Sequence, residues 1–231
     1  MPKLAIEIFL QSNMTPEELS YQANQLVGLT VADIAQCLNI EVPHNLTSAK
    51  GWVGQALEKL LGATAGSRPL PDFVDLGIEL KTLPITLKGE PRESTYICIA
   101  PMPNPDLYWA SSLVYHKTRS ILWIPILSDS ALPFEQYRIL TPLLWHPTLE
   151  QQSTLQQDWE ELTESLNLGR LNALTAHHGQ ALQIRPKAAH NQILIRTIDD
   201  QACEQYTVPK GFYFRRSFTL KMLREHYHFR G

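Results

Sequence analysis

The residues best suited to chemistry lie close together in PDFVDLGIELKTLPI, residues 71–85, where Asp72, Asp75, Glu79 and Lys81 interrupt what otherwise reads as a buried strand. Successive side chains of a strand point to opposite faces, so Glu79 and Lys81 share one face while Ile78 and Leu80 take the other. Pro71 and Gly77 are turn-prone, which puts Asp72 on the segment leading into the strand. Two carboxylates and an ammonium can then converge on one spot. Hard cations such as Mg²⁺ take oxygen ligands, usually one or two carboxylates completed by waters and substrate phosphates. A lysine beside such a site can orient or deprotonate a water, or neutralise charge developing on phosphorus. The same pattern also fits a surface strand whose Glu79 and Lys81 form an ion pair worth under roughly 1 kcal/mol. Lys81 alone among the nine lysines has an acid two residues before it, and about one such match is expected by chance. The spacing by itself leaves both readings open.

The elements that must hold these residues follow from caps and periodicity. Thr15-Pro16-Glu17-Glu18 is a capping box with Pro at the first helical position, predicting a helix to about Val27. Thr30 to Leu38 reads as a second helix. Lys50 to Leu61 places Val53, Leu57, Leu60 and Leu61 on one face, with Glu58 beside that stripe and within reach of Asp72. Residues 78–85, 95–100 and 121–126 read as strands of a small sheet. Thr148 to Leu168 is a long amphipathic helix carrying Leu155, Trp159, Leu162 and Leu166, stopped by Gly169. ALQIRPK and GFYFRRSF read as strands bearing basic residues, and Thr219 to Phe229 as a terminal helix. Helices and strands in this order indicate an α/β domain with a mixed sheet.

Composition narrows the function classes. A chain of 231 residues, 44% hydrophobic, can bury a proper core. Its formal net charge of −3 argues against a globally cationic nucleic-acid binder. The segment from Ala181 to Gly231 nevertheless holds nine basic residues against four acidic ones, a local footprint suited to phosphate or to a solvated surface. Cys37, Cys98 and Cys203 show no paired spacing and read as free buried thiols of a reducing compartment. No signal peptide and no apolar run near 18 residues is present, so a soluble, cytoplasmic protein is expected. His177-His178, His226 and His228 lack a cysteine or carboxylate at ligand spacing and read as solvated or locally hydrogen-bonded. Trp109, Trp123, Trp145 and Trp159 read as core.

KGWVGQALEKLLGATAGSRPLPDFVDLGIELKTLPI resembles the core of the DNA mismatch repair endonuclease family MutH, which is related in fold to type II restriction enzymes with a PD-(D/E)-x-K site. HKTRSILWIPI, PLLW, DWEELTE, LQIRPKAA and VPKGFYFRRSFT extend the resemblance in the same order, from about residue 16 to residue 224. Several blocks in register are far more specific than the acid-x-Lys pattern. They tip the balance toward the metal-site reading of residues 72–81.

The resemblance implies one endonuclease domain over residues 1–231, a restriction-endonuclease-like mixed sheet flanked by helices, with two lobes around a DNA cleft. An N-terminal catalytic lobe would span 1–115 and a C-terminal DNA-reading lobe 116–231. The implied activity is Mg²⁺-dependent nicking of the unmethylated strand at hemimethylated GATC sites, with Mn²⁺ able to substitute, by a monomer that MutL activates. Residue by residue, Asp72 and Glu79 fall on metal-binding carboxylates and Lys81 on the catalytic lysine. Glu58 falls on a helix glutamate that completes the active site, and Lys117 on a lysine near the scissile region. Lys50, Arg185, Lys187 and Tyr213 fall on positions that approach or read DNA. Arg185 or Lys187 suits guanine O6 and N7, and Tyr213 suits the adenine edge that carries the methyl group. The chain departs from the family pattern in the uncharged TSA before Lys50, at Tyr96 and Tyr115, and in MPNPDLY. Two rivals are a GATC restriction enzyme that cuts both strands and an inactive DNA- or MutL-binding adaptor. The intact Asp72, Glu79 and Lys81 argue against the adaptor.

Overall fold

The computed structural model describes residues 14–43, 51–106, 108–129, 131–170, 178–187, 194–201 and 203–227. Helix α1, Pro16–Asn24, begins at the expected capping box: Glu18 N–H donates to Thr15 Oγ1, and Thr15 N–H donates to Glu18 Oε2 at 2.8 Å. It ends three residues before Val27. Helix α2, Val31–Leu38, uses the same device, Thr30 with Asp33. Helix α3 is Trp52–Leu60, burying Val53, Ala56, Leu57 and Leu60. The later helices are α4, Leu113–Thr118, α5, Leu149–Asn167, and α6, Arg216–His226. A capping box of Thr148 and Gln151 opens α5. Helix α6 starts three residues earlier than the sequence predicts, and Phe229 and His228 lie outside the described residues.

The strands are β1 (Glu79–Ile85), β2 (Thr95–Ala100), β3 (Ile121–Leu127), β4 (Arg138–Ile139), β5 (Leu143–Trp145), β6 (Leu182–Pro186), β7 (Ile195–Ile198), β8 (Glu204–Thr207) and β9 (Lys210–Phe214). Strand β3 is central to a mixed sheet, parallel to β1 and antiparallel to both β4 and β5. Ile121 to Ile126 are all buried, the continuous apolar run expected of a strand covered on both faces. Strand β2 does not join this sheet, contrary to the sequence reading. It pairs antiparallel with β9, which also pairs with β6. That pairing buries Ile97, Cys98 and Ala100 of β2 alongside Phe212 and Phe214 of β9, a nonlocal match that strand periodicity cannot foresee. Strands β7 and β8 form a separate hairpin.

The lobe boundary near residue 115 is redrawn by this topology. One compact unit holds the described residues up to Arg92 together with Ser120–Trp145, and the other holds Glu93–Arg119 with the described residues from His146 onward. The parallel pairing of β1 with β3 is the reason, because it draws residues 120–145 back beside the N-terminal elements. In the first unit Leu19, Ala23, Ile34, Leu57 and Leu60 of the helices pack against Leu80, Leu122, Ile124 and Ile139 of the sheet. Each such aliphatic side chain contributes roughly 1.5–3 kcal/mol on full burial, enough to hold a strand that also carries buried charge. Among the described residues no helix is long and apolar enough to cross a membrane.

Candidate functional sites on two sheets

The first site is built at the start of β1. The chain leaves Asp72, turns at Val74–Gly77 and returns, with Phe73 and Ile78 bridged antiparallel. Gly77 adopts a left-handed φ of 64°, which a side chain there would strain. Continuing that register sets Asp72 directly across from Glu79, and the N–H of Leu80 donates to Asp72 Oδ2 at 2.8 Å. The gap between the two acids in sequence is thus the length of one tight turn. Asp75 sits at the turn's exposed tip, away from this pairing.

Glu79 and Lys81 do share a face, as alternation requires, and Lys81 Nζ lies 2.6 Å from Glu79 Oε1. Their side chains are only 2% and 13% exposed, so the pair is no solvated surface bridge. The backbone of Glu79 is held as well, its N–H donating to the carbonyl of Ser120 at 3.0 Å. Glu58 lies half-buried near the end of α3. Its carbonyl accepts from Ala63 N–H, and the next two N–H groups, of Thr64 and Ala65, both donate to the carbonyl of Asp72. The end of α3 and the backbone of Asp72 are tied together in this way. Gly54 of α3 lies beside Thr82 of β1, where even a Cβ would reach only ordinary contact, 4.0 Å from Thr82 Oγ1. Lys117 is half-buried in the last turn of α4, in the second unit. Lys50 lies outside the described residues.

This donor set suits a hard cation better than a soft one. Asp72 and Glu79 offer two carboxylates on residues set opposite one another by the turn, and Mg²⁺ commonly takes one or two carboxylates with waters and substrate phosphates filling the rest. Among the described residues no cluster of three or more His, Cys, Asp and Glu makes a closed cage. His226 is engaged locally, its Nδ1 2.9 Å from the carbonyl of Met222, and His177 lies outside the described residues. Cys98 is buried as expected, whereas Cys37 and Cys203 are exposed. Trp123, Trp145 and Trp159 are core; Trp109 is half-buried against Trp159 and Tyr115.

The second site is the outer face of the β2–β9–β6 sheet. Its inner face is apolar, with Leu182, Phe212 and Phe214 buried. Its outer face aligns Tyr96, Tyr213 and Gln183 across three strands. The rings of Tyr96 and Tyr213 meet edge to face, with centroids 5.3 Å apart. The guanidinium of Arg185 lies 5.8 Å from the Tyr213 centroid, and Lys187 Nζ lies 5.0 Å from the Tyr96 centroid. Gly211 makes room for both rings, because a Cβ there would come within 2.8 Å of Tyr96 Cε2 and 3.2 Å of Tyr213 Cε2. Burial pushes the Tyr213 phenol above its ordinary value, with the neighbouring Tyr96 adding to that, so it stays a neutral donor and acceptor at physiological pH. Arg185, Lys187 and Tyr213, read separately from the sequence, are therefore one cluster. Two basic groups resting on aromatic faces beside exposed polar edges can meet phosphates and base edges together.

The family of the chain follows from its similarity to known proteins. A family model described as "DNA mismatch repair enzyme MutH" matches residues 61–158, which include the whole Asp72–Lys81 centre. A protein of Shewanella sp. (strain ANA-3) is 47% identical over 207 residues, covering 89% of this chain and 93% of that one. One from Shewanella oneidensis is 45% identical over 218 residues, covering 93% and 98%, and one from Serratia proteamaculans 44% over 212 residues, covering 91% and 93%. All three are named "DNA mismatch repair protein MutH". The chain belongs to the MutH family. It is a DNA mismatch repair endonuclease with a restriction-endonuclease-like α/β fold, as the sequence blocks implied.

Several residues that shape these two candidate sites escaped sequence reading. Gln183 and Ser94 brace the basic face, with Gln183 Nε2 donating to Ser94 Oγ at 2.7 Å. Asp158, only 3% exposed, accepts the N–H groups of Gln180, Ala181 and Leu182 where β6 begins. Its place in DWEELTE, one of the blocks resembling the family, was the available signal. Tyr96 stood out only as a departure from the family pattern.

Proposed function

We propose that this MutH protein nicks the unmethylated strand at hemimethylated GATC sites, using Asp72, Glu79 and Lys81 with Mg²⁺, which Mn²⁺ can replace. The observation that supports the reading is the turn that sets Asp72 opposite Glu79 in register, with the Asp72 carboxylate bonded to Leu80 N–H and the Glu79 carboxylate to the Lys81 ammonium. Asp72 and Glu79 would hold the cation, and the cation would supply charge stabilisation at the phosphoryl oxygens during hydrolysis. The Leu80 N–H fixes one oxygen of Asp72, so that carboxylate is oriented before DNA arrives. Lys81 presents an ammonium held in place by Glu79, suited to orienting the attacking water and to offsetting charge that builds on phosphorus. Glu58 would complete the acidic set from α3, and Lys117 is the further lysine that the family resemblance implies. On the second site, Arg185 or Lys187 would read guanine in the major groove, and Tyr213 would meet the adenine edge where an N6-methyl group takes up space. Lys50 would contact the phosphate backbone. The protein would act as a monomer with MutL as its activator, and one catalytic centre per monomer supports single-strand nicking over double-strand cutting.

The experiment is nicking of a hemimethylated GATC duplex, each strand carrying its own label, by the wild type and by Tyr213→Ala, with Mg²⁺, with Mn²⁺ and with chelator. The wild type should cut the unmethylated strand alone and need the divalent ion. Tyr213→Ala should narrow the strand preference, since one methyl contact is worth roughly 1–3 kcal/mol, about 5- to 150-fold in rate. Equal cutting of both strands by the wild type would favour the restriction-enzyme alternative. Full activity in chelator would remove the cation from the proposal.

A further inference from the structure

Ser94 stands just ahead of β2, on the outer face of the β2–β9–β6 sheet, and its hydroxyl oxygen is a junction. Gln183 Nε2 lies 2.7 Å from Ser94 Oγ and Arg185 Nη1 lies 3.1 Å from it. An amide nitrogen and a guanidinium nitrogen are donors only, so both hydrogen bonds run into the oxygen and occupy both of its lone pairs. Gln183 is 8% exposed and its strand is pinned to β9, so its amide is a fixed strut. The guanidinium of Arg185 is otherwise on an exposed side chain, resting against Tyr213 on a second side. A long exposed arginine samples many rotamers, and bidentate recognition of a base needs its plane held in one of them.

We propose that Ser94 is a specificity-determining positioning residue: its oxygen, held by Gln183, fixes the guanidinium plane of Arg185 for reading its base. The proposal rests on the reading that Arg185 contacts a base edge in the recognition sequence. Its effect falls on discrimination between sequences, because phosphate contacts elsewhere tolerate a mobile arginine while a two-pronged base contact does not.

The test is steady-state nicking of a hemimethylated GATC duplex in Mg²⁺, with a duplex lacking GATC as competitive inhibitor. Wild type, Ser94→Ala, Ser94→Thr, Arg185→Ala and the double variant Ser94→Ala/Arg185→Ala are compared. Ser94→Ala should raise KM for the GATC duplex about 5- to 20-fold, the range for losing one charge-assisted hydrogen bond on a partly exposed face. The inhibition constant of the GATC-free duplex should not move with it. Ser94→Thr, which keeps the oxygen, should restore most of the loss, and Ser94→Ala should add nothing once Arg185 is gone. A Ser94→Ala enzyme with wild-type KM, a KM and inhibition constant rising together, or additive effects in the double variant would each overturn the proposal. A wild type with equal affinity for both duplexes would overturn the underlying GATC reading instead, and that result is separate from the other three.

Discussion

Lys81→Met tests whether the Glu79–Lys81 pair is both structural and catalytic. The pair is short, 2.6 Å, and Glu79 is nearly inaccessible, whereas the lysine retains 13% exposure. At that distance the gross attraction is about 6 kcal/mol with an effective dielectric near 20, but desolvation of both charges takes back most of it. What decides the outcome is what each single change leaves behind. Removing the ammonium strands a buried carboxylate, a change that costs about 3–5 kcal/mol when both partners are fully buried. Water reaching the lysine end lowers this to about 2–3 kcal/mol, or a fall in Tm of about 4–12 °C for a chain of this size. Glu79→Gln leaves an ammonium that can turn toward solvent, and should cost less. The double variant Glu79→Gln/Lys81→Met carries neither charge and should recover to within about 1 kcal/mol of wild type, giving a coupling of about 1–3 kcal/mol. Nicking should stay down at least about a hundredfold in all three, because stability returns without the groups proposed to act on the phosphate. The assays are thermal melts by circular dichroism and plasmid nicking on the same preparations. Zero coupling in the melts would mean that the ion pair is not formed in solution. Nicking by the double variant at more than a tenth of the wild-type rate would refute the catalytic role.

Three further outcomes follow from particular contacts. Asp72→Ala should lose nicking at least about a hundredfold while Asp75→Ala, at the exposed turn tip, cuts almost normally; the reverse result in the same plasmid assay would reassign the metal carboxylate. Asp158→Asn should destabilise by about 2–4 kcal/mol in chemical denaturation, since its amide group would face three N–H donors at the head of β6, and a change under 1 kcal/mol would contradict that arrangement. Asp33 is held below the ordinary carboxylate value by the Thr30 hydroxyl and then by the Thr30 backbone N–H. A lowered folded value means its contribution is present above the unfolded value, near 4, and is lost as the pH falls through the folded one. Urea midpoints measured from pH 6 down to pH 2.5 should therefore converge for wild type and Asp33→Asn at the acid end, and a gap that widens on acidification would show the sign to be wrong.

Local interactions made much of this protein legible from its residues alone. The helices opened by Thr15 and Thr148 start where their capping boxes stand, because a cap is settled by residues three apart. Alternation placed Glu79 and Lys81 together, and Pro71 and Gly77 announced the turn that sets Asp72 opposite Glu79 in register. Helix α4 was not read at all, and at six residues it has too few turns to show a period. Sheet membership was likewise beyond the sequence: β2 has the same apolar alternation whichever partner it takes, and only Phe212 and Phe214, more than a hundred residues on, decide for β9. That nonlocal pairing is what gathers Tyr96, Tyr213, Arg185, Lys187 and Ser94 onto one face. Burial of Glu79 was equally a tertiary matter. Its strand sequence fits a solvated edge as well as a covered one, and only in the folded chain, with β1 paired to β3, is the side chain left 2% exposed against Lys81.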